Sequence, residues 1–349
     1  MGALPTSVAA AADPVSLVAG GLDSPRGVAM LDGLAIVAET GHGSNSSQVS
    51  SVDTQTGLHA TIAGGLFSTH FERDIIGVSG VSVRNGKIYA VFSGSPQQTG
   101  NPDAGKLIEV KQGSTRDIAS VGAFDYSWTL NVAGQEPDAN PTAVLATEDG
   151  FLVADSGANT ITSVNREGDE IGVVKHFSDH YGLPGMAFPF DEVPTCVAQG
   201  DDALWVGTLA GNLFRVDETG ATKVVVKDGT GKALLSHVTG CTTQGHTVYL
   251  VNMFGSGQPF APPPGSNFFR GSVVQFNTES GRASELANSF DSPLLQWPYA
   301  PTVGRDGNLY VTSGSWCTAA GAGPSPAVPG CGGGGRLVKI QLSQADQQD

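Results

Sequence analysis

The residues able to do chemistry fall into two columns of a repeated cadence. In the first column Glu39, Asp155, Thr208, Asn252 and Ser313, with the apolar Phe92 in the matching place, each close a short apolar run. Those runs are LAIVAETG from Leu34, KIYAVFSG from Lys87, FLVADSG from Phe151, ALWVGTLAG from Ala203, TVYLVNMFG from Thr247 and NLYVTSG from Asn308. In the second column Asp23, Ser79, Asn140, Glu192, His237 and Tyr299 open the run that precedes each of these. Side-chain oxygens meeting at one point suit a hard cation, so Glu39, Asp155 and Asn252 form one candidate calcium set. Hydrogen bonding to loop amides is the competing role, above all for Asp155. Of the seven histidines, His237 has the best position for a hydrogen-bond donor or general acid. His42, His70, His176 and His180 fall in flanking loops. Asn140 and Asp155 complete the candidate catalytic set. Nucleophilic catalysis lacks a motif, since there is no GxSxG and no cysteine beside a histidine. Zinc finds little support, since no CxxC occurs and the one HxxxH, His176 to His180, falls in a flanking loop.

The elements that position these columns follow from the spacing. Aligning Ile36, Tyr89, Leu152, Trp205, Tyr249 and Tyr310 gives steps of 53, 63, 53, 44 and 61 residues. A repeat of that size, built of short β-branched runs between turns, is the mark of propeller blades. The expected fold is all-β: one six-bladed β-propeller over residues 1–349, four antiparallel strands to a blade, with residues 1–14 and 343–349 as tails. Blade 1 reads as strands at Arg26–Met30, Leu34–Ala38, Gln48–Val52 and Leu58–Ala63. The last blade is one strand short, so Val15–Ala19 is expected to supply it and close the ring. Turns such as Arg84-Asn85-Gly86 and Arg305-Asp306-Gly307 are brief, whereas Gly64–Gly77, Ala123–Asn140, His176–Pro194, Asn252–Arg270 and Ser313–Gly335 are long. Strand alternation puts every long connection on one face, which is therefore expected to be the functional one.

That face is rich in aromatic rings. Phe92, Trp128, Phe188, Phe254 and Tyr299 are expected to wall a pocket over the channel mouth, with Asn140, Asp155, His237 and Asn252 as its polar contacts. Packing of the loops against each other is the alternative role for these rings. Segments such as Pro259-Phe260-Ala261-Pro262 are apolar for a loop, and an apolar cleft with few polar groups is the usual anatomy of a small-molecule site. A formal charge of −15 argues against nucleic acid and anionic membranes as partners. A monomer or weak dimer is expected. Four cysteines suit two disulfides, Cys196–Cys241 between successive inner strands and Cys317–Cys331 within one glycine-rich loop. With Ala9–Ala12 placed before Asp13-Pro14 like the scar of a removed leader, this points to the secretory pathway or exterior.

Two stretches, GLDSPRGVAMLDGLAIVAETG at 21–41 and NPTAVLATEDGFLVADSGANTITSV at 140–164, resemble the propeller family named after the scytonemin-cluster proteins ScyD and ScyE. More distantly they resemble the NHL, strictosidine-synthase and gluconolactonase propellers. The resemblance spans most of the chain and rests on blade-building residues. The gluconolactonase likeness implies a divalent metal held by a Glu, an Asn and an Asp at inner-strand entrances. Asp23 and Asn140 match the first two positions, with Glu39 as a further oxygen ligand, but the third holds Ser236-His237. The expectation is accordingly no cofactor, with calcium as the alternative. The leading functional expectation is an enzyme of natural-product metabolism. It would orient an apolar polycyclic or aromatic substrate for a metal-independent cyclisation or cycloaddition, as hetero-Diels–Alder catalysts with this fold do. The alternatives are a calcium-dependent lactonase and a non-catalytic binding propeller.

Overall fold

The computed structural model describes residues 14–71, 74–178, 180–182, 189–254, 271–318 and 333–342. Six four-stranded antiparallel sheets stand in a ring. From the axis outward, blade 1 is Pro25–Leu31, Leu34–Glu39, Ser47–Asp53 and His59–Leu66. Blade 2 is Val78–Arg84, Lys87–Phe92, Lys106–Lys111 and Ser114–Ser120, and blade 3 is Pro141–Ala146, Gly150–Asp155, Thr160–Asn165 and Ile171–His176. Blade 4 is Pro194–Gln199, Leu204–Thr208, Leu213–Asp217 and Gly220–Val224, and blade 5 is Val238–Gln244, Thr247–Asn252, Ser272–Asn277 and Ala283–Asn288. Blade 6 has Pro301–Val303, Leu309–Ser313 and Gly335–Ile340, and Val15–Leu22 supplies its outer strand. Val15 lies opposite Ile340, Ala19 opposite Leu337 and Leu22 opposite Gly335, so the ends of the chain close the ring as expected.

The period of two along each strand explains why no blade stands alone. In Leu34–Glu39, Ile36 and Ala38 face Val81, Ile88 and Phe92 of blade 2. Ala35 and Val37 between them face Leu22, Tyr310 and Leu337 of blade 6. The same division recurs around the ring, leaving one buried apolar cluster at each of the six junctions. Each fully buried aliphatic side chain there contributes about 1.5–3 kcal/mol.

A second ring, of hydroxyls, joins the blades at the axis. Thr40 Oγ1 donates to Val78 O, Ser79 Oγ to Pro141 O, Ser156 Oγ to Pro194 O, Thr195 Oγ1 to Val238 O, Thr239 Oγ1 to Tyr299 O and Thr312 Oγ1 to Arg26 O. Every junction is thus bridged by a side-chain hydroxyl to a carbonyl on the inner strand of the next blade or, at Tyr299, just before it. The inner strands approach so closely that a Cβ on Gly240 would lie 2.3 Å from Tyr299 O. Cys196 and Cys241 form the expected disulfide between blades 4 and 5. They stand one position out of step: Cys196 is the counterpart of Gly240, and Cys241 that of Val197. Cys317 is also disulfide-bonded, and its expected partner Cys331 lies outside the described residues.

One face carries only tight turns, such as Asp32-Gly33 with φ of 49° and 85°, the left-handed pair that a two-residue hairpin requires. The long connections open on the other face and hold more structure than loops. Thr69–Phe71 pairs with Asp74–Ile76, and His180–Gly182 with Pro189–Asp191. The stretch read as a loop from Ala123 belongs to a helix, Val121–Thr129. Among the described residues no helix is long and apolar enough to cross a membrane.

Candidate active site on the loop face

The column that closes the second strands holds the loops in place. Glu39 Oε2 accepts from Asp23 N at 2.6 Å, and its Oε1 from Gln48 Nε2 at 2.9 Å. Asp155 Oδ1 accepts from the amides of Asn140, Gly157 and Ala158 at 2.6, 3.0 and 2.9 Å. Asn252 Oδ1 accepts from Ser236 N, while its Nδ2 donates to Leu234 O and Ser272 Oγ. Blade 2 does the same with Ser93, one residue past Phe92, whose Oγ accepts from Gly77 N at 3.1 Å. In blade 4 Thr208 Oγ1 donates to Glu192, which also receives Asn212. Ser313 Oγ donates to Leu294 O and Gln296 O. All are buried, and each ties the residue about fifteen places upstream to the strand end.

The same accounting bears on the metal alternative. Asn140 Oδ1 accepts from Gly94 N at 3.1 Å, while Asp23 Oδ2 faces His42 Nδ1 at 2.6 Å. Among the described residues no three His, Cys, Asp or Glu side chains converge as metal ligands. Burial pushes Glu39 up from the usual carboxylate range, against the pull of the Asp23 amide.

Three of the expected site residues do come together, at the tops of blades 5 and 6. The His237 ring meets Phe254 edge-on at 5.5 Å, Phe254 lies 5.6 Å from Trp316, and Trp316 lies 6.4 Å from Trp297. Tyr299 packs in the same apolar cluster, with Met253 and Cys317. Phe254, Trp297 and Tyr299 are buried, whereas His237 and Trp316 are only part-buried. Burial lowers the pKa of His237, which favours the neutral imidazole. The arc continues to blade 1, where the Arg26 guanidinium lies 5.7 Å from the Tyr299 ring centre. Arg26 donates to Asp74 Oδ1 at 2.6 Å and Ile75 O at 3.2 Å. Burial opposes its charge, but Asp74 and Tyr299 outweigh it and raise its pKa. Burial likewise raises that of Tyr299. The far end of the arc is therefore a buried Arg26–Asp74 ion pair whose carboxylate partner is half-exposed.

The other expected residues lie elsewhere. Phe92 is 4% exposed and sits in the core between blades 1 and 2, 6.1 Å from Phe67. Trp128 stands over blade 3, edge-on to His176 at 5.0 Å. Phe188 lies outside the described residues. Trp297 and Trp316 belong to the aromatic rings of the loop face but were not among those expected to wall the pocket, and sequence reasoning passed over Arg26. For Arg26 a signal was present, because a charged residue opens the inner strand where Ser79, Thr142, Thr195 and Thr239 stand in later blades. It also passed over Asp125, on the helix Val121–Thr129, which accepts from Thr162 Oγ1 at 2.7 Å and shares a hydrogen bond with Asp155.

No family model matches the chain, and no curated protein matches it in sequence. Solved structures match it along nearly its whole length. The PQQ-bound aldose sugar dehydrogenase of Streptomyces coelicolor is 12% identical over 93% of this chain and 97% of its own, with a TM-score of 0.55. A luciferin-regenerating enzyme is 7% identical over 95% of each chain, also at 0.55. A protein assigned as a gluconolactonase is 12% identical over 95% of this chain and 93% of its own, at 0.51. None of these comparisons shows the ScyD/ScyE family. What likenesses at such identities establish is the fold: this chain is a six-bladed β-propeller whose structural neighbours include gluconolactonase-like and sugar-dehydrogenase propellers.

Proposed function

We propose that the protein is an enzyme that binds an apolar, ring-bearing small molecule on the loop face and promotes its cyclisation or cycloaddition. The observation that carries this reading is the aromatic arc from His237 through Phe254, Trp316 and Trp297 to Tyr299 and Arg26. Rings stacked on such a surface gain area burial and aromatic contact. His237, whose neutral form burial favours, offers a hydrogen bond to an oxygen on which charge develops. Cyclisation needs orientation and electrostatics of this kind more than a nucleophile. A calcium-dependent lactonase is favoured less. The oxygens it would use on Glu39 and Asn140 already accept from Asp23, Gln48 and Gly94. The fold's disulfide supports placing the enzyme in an oxidising, exported compartment.

The test is turnover of a panel of polycyclic phenols and polyenes, in which a cyclised product keeps its substrate's mass while its chromatographic retention changes. His237→Gln should lower kcat about 100-fold or more with KM little changed. Trp316→Leu should mainly raise KM. Wild-type kinetics in His237→Gln would contradict the reading.

A further inference from the structure

On blade 1, beside the arc, His42 and Asp23 make a carboxylate–imidazole pair. The Asp23 side chain is 9% exposed and that of His42 50%, with 2.6 Å between Oδ2 and Nδ1. Both partners are held firmly. Asp23 donates its amide to Glu39 Oε2 at 2.6 Å and accepts from Gly41 N at 3.1 Å. The loop that carries His42 is tied by His42 N to Ser46 Oγ at 2.7 Å, Gly43 N to Ser68 Oγ at 2.9 Å and Asn45 N to Ser68 O at 2.9 Å. Ser44 and Asn45 have φ of 59° and 60°, a left-handed conformation that costs a non-glycine residue about 1–2 kcal/mol. Strain of this sort gathers where a side chain must be held in one geometry. A second imidazole lies against the loop: a Cβ on Gly43 would come 2.8 Å from His70 Cδ2.

The pair adjoins the arc on two sides. Ser24, next to Asp23, donates its amide to Cys317 O at 2.9 Å, and Cys317 packs with Phe254, Trp297 and Tyr299. Arg26, beneath Tyr299, binds Asp74 on the hairpin whose other strand carries His70. A carboxylate that accepts from Nδ1 keeps the proton on that nitrogen and leaves the lone pair on Nε2. His42 Nε2 has no hydrogen-bond partner among the described residues.

We propose that His42 is a general base, oriented by Asp23, that removes a proton from an acidic hydroxyl or an enolisable C–H of the substrate. This rests on the reading of the arc as the substrate site, and it narrows the substrate class to phenols and enolisable carbonyl compounds. Nε2 takes the proton, and the electron pair of the broken O–H or C–H bond stays on the substrate as phenolate or enolate. That anion adds to a C=C conjugated to a carbonyl in the same molecule: the ring bond forms as the π bond breaks, and the electron pair of that π bond moves to the carbonyl oxygen as an enolate. The imidazolium, steadied by Asp23, then returns the proton to the product. Asp23 is a positioning residue, and His42 is the group that touches the substrate.

Two measurements on the full chain test this. Nitrogen NMR of the free protein reports the His42 tautomer: the Nδ1–H form is expected in the wild type and should lose its preference in Asp23→Ala. The second measurement follows para-nitrophenol, whose phenolate absorbs visible light. Bound to the wild type it should ionise about one pH unit or more below its value in solution. His42→Gln should bind it without that shift, and His246→Gln, on the tight turn between the strands Val238–Gln244 and Thr247–Asn252, should keep the shift. An Nε2–H tautomer in the wild type overturns the pair as a base. So does a bound phenol that ionises alike in the wild type and His42→Gln. If the phenol does not bind while the tautomer is Nδ1–H, the arc is not the substrate site and the assignment falls with it.

Discussion

Asp125 and Asp155 are both buried with no exposed surface, and they share one hydrogen bond. Burial first, then the Asp155 charge, pushes Asp125 up to about 9. Burial pushes Asp155 up to about 6, against the amides of Ala158 and Asn140. At neutral pH Asp125 therefore keeps its proton and donates it to the Asp155 carboxylate, which fixes the helix Val121–Thr129 to blade 3. The folded-state pKa values lie above the unfolded value of about 3.9, so the folded state binds the protons more tightly. The stability this linkage contributes is complete at acid pH and is lost as pH rises through about 6 and about 9. Thermal unfolding across that range should show a falling midpoint in the wild type and a flatter profile in Asp125→Asn, whose amide still donates. Equal slopes in the two proteins would count against a shared proton. In the sequence Asp155 was legible as a strand end with hydrogen bonding to loop amides as one of its two roles, but its pairing with Asp125 was not. Its partners are amides set by the loop backbone and a carboxyl thirty residues upstream.

Strands were the most legible elements, because their apolar residues alternate and Asp-Gly or Asn-Gly turns punctuate them. The helix Val121–Thr129 was not legible, since VGAFDYSWT lacks an apolar helical period and its buried residues include the polar Asp125 and Thr129. The closing strand was visible only by counting: blade 6 lacked a partner and Val15–Ala19 lacked a sheet. It runs to Leu22, whose side chain is fully buried between blades 6 and 1. Deleting residues 1–22 should leave Gly335–Ile340 as an open edge and strip that junction of Leu22 and Ala19. Differential scanning calorimetry should then show loss of the cooperative transition or a large drop in its midpoint. A truncated chain that melts like the full one would refute closure by this strand.

At the scale of the whole molecule, six junctions of similar construction give a rigid ring, and its long connections gather on one face. The hydroxyl ring and the apolar clusters account for the ring, while the aromatic arc is built of side chains outside those six clusters. The chain holds four tryptophans, and their placement turns this division into an experiment. Trp205 is buried between blades 4 and 5 against Phe276, and Trp128 lies over blade 3 beside His176. Trp297 and Trp316 belong to the arc. The most direct measurement is an NMR titration of the assigned indole N–H signals with a polycyclic phenol. The account predicts saturable shifts at Trp316 and Trp297 with Trp205 unmoved. Shifts confined to Trp128, or no saturable shift at any indole, would contradict a small-molecule site on the arc.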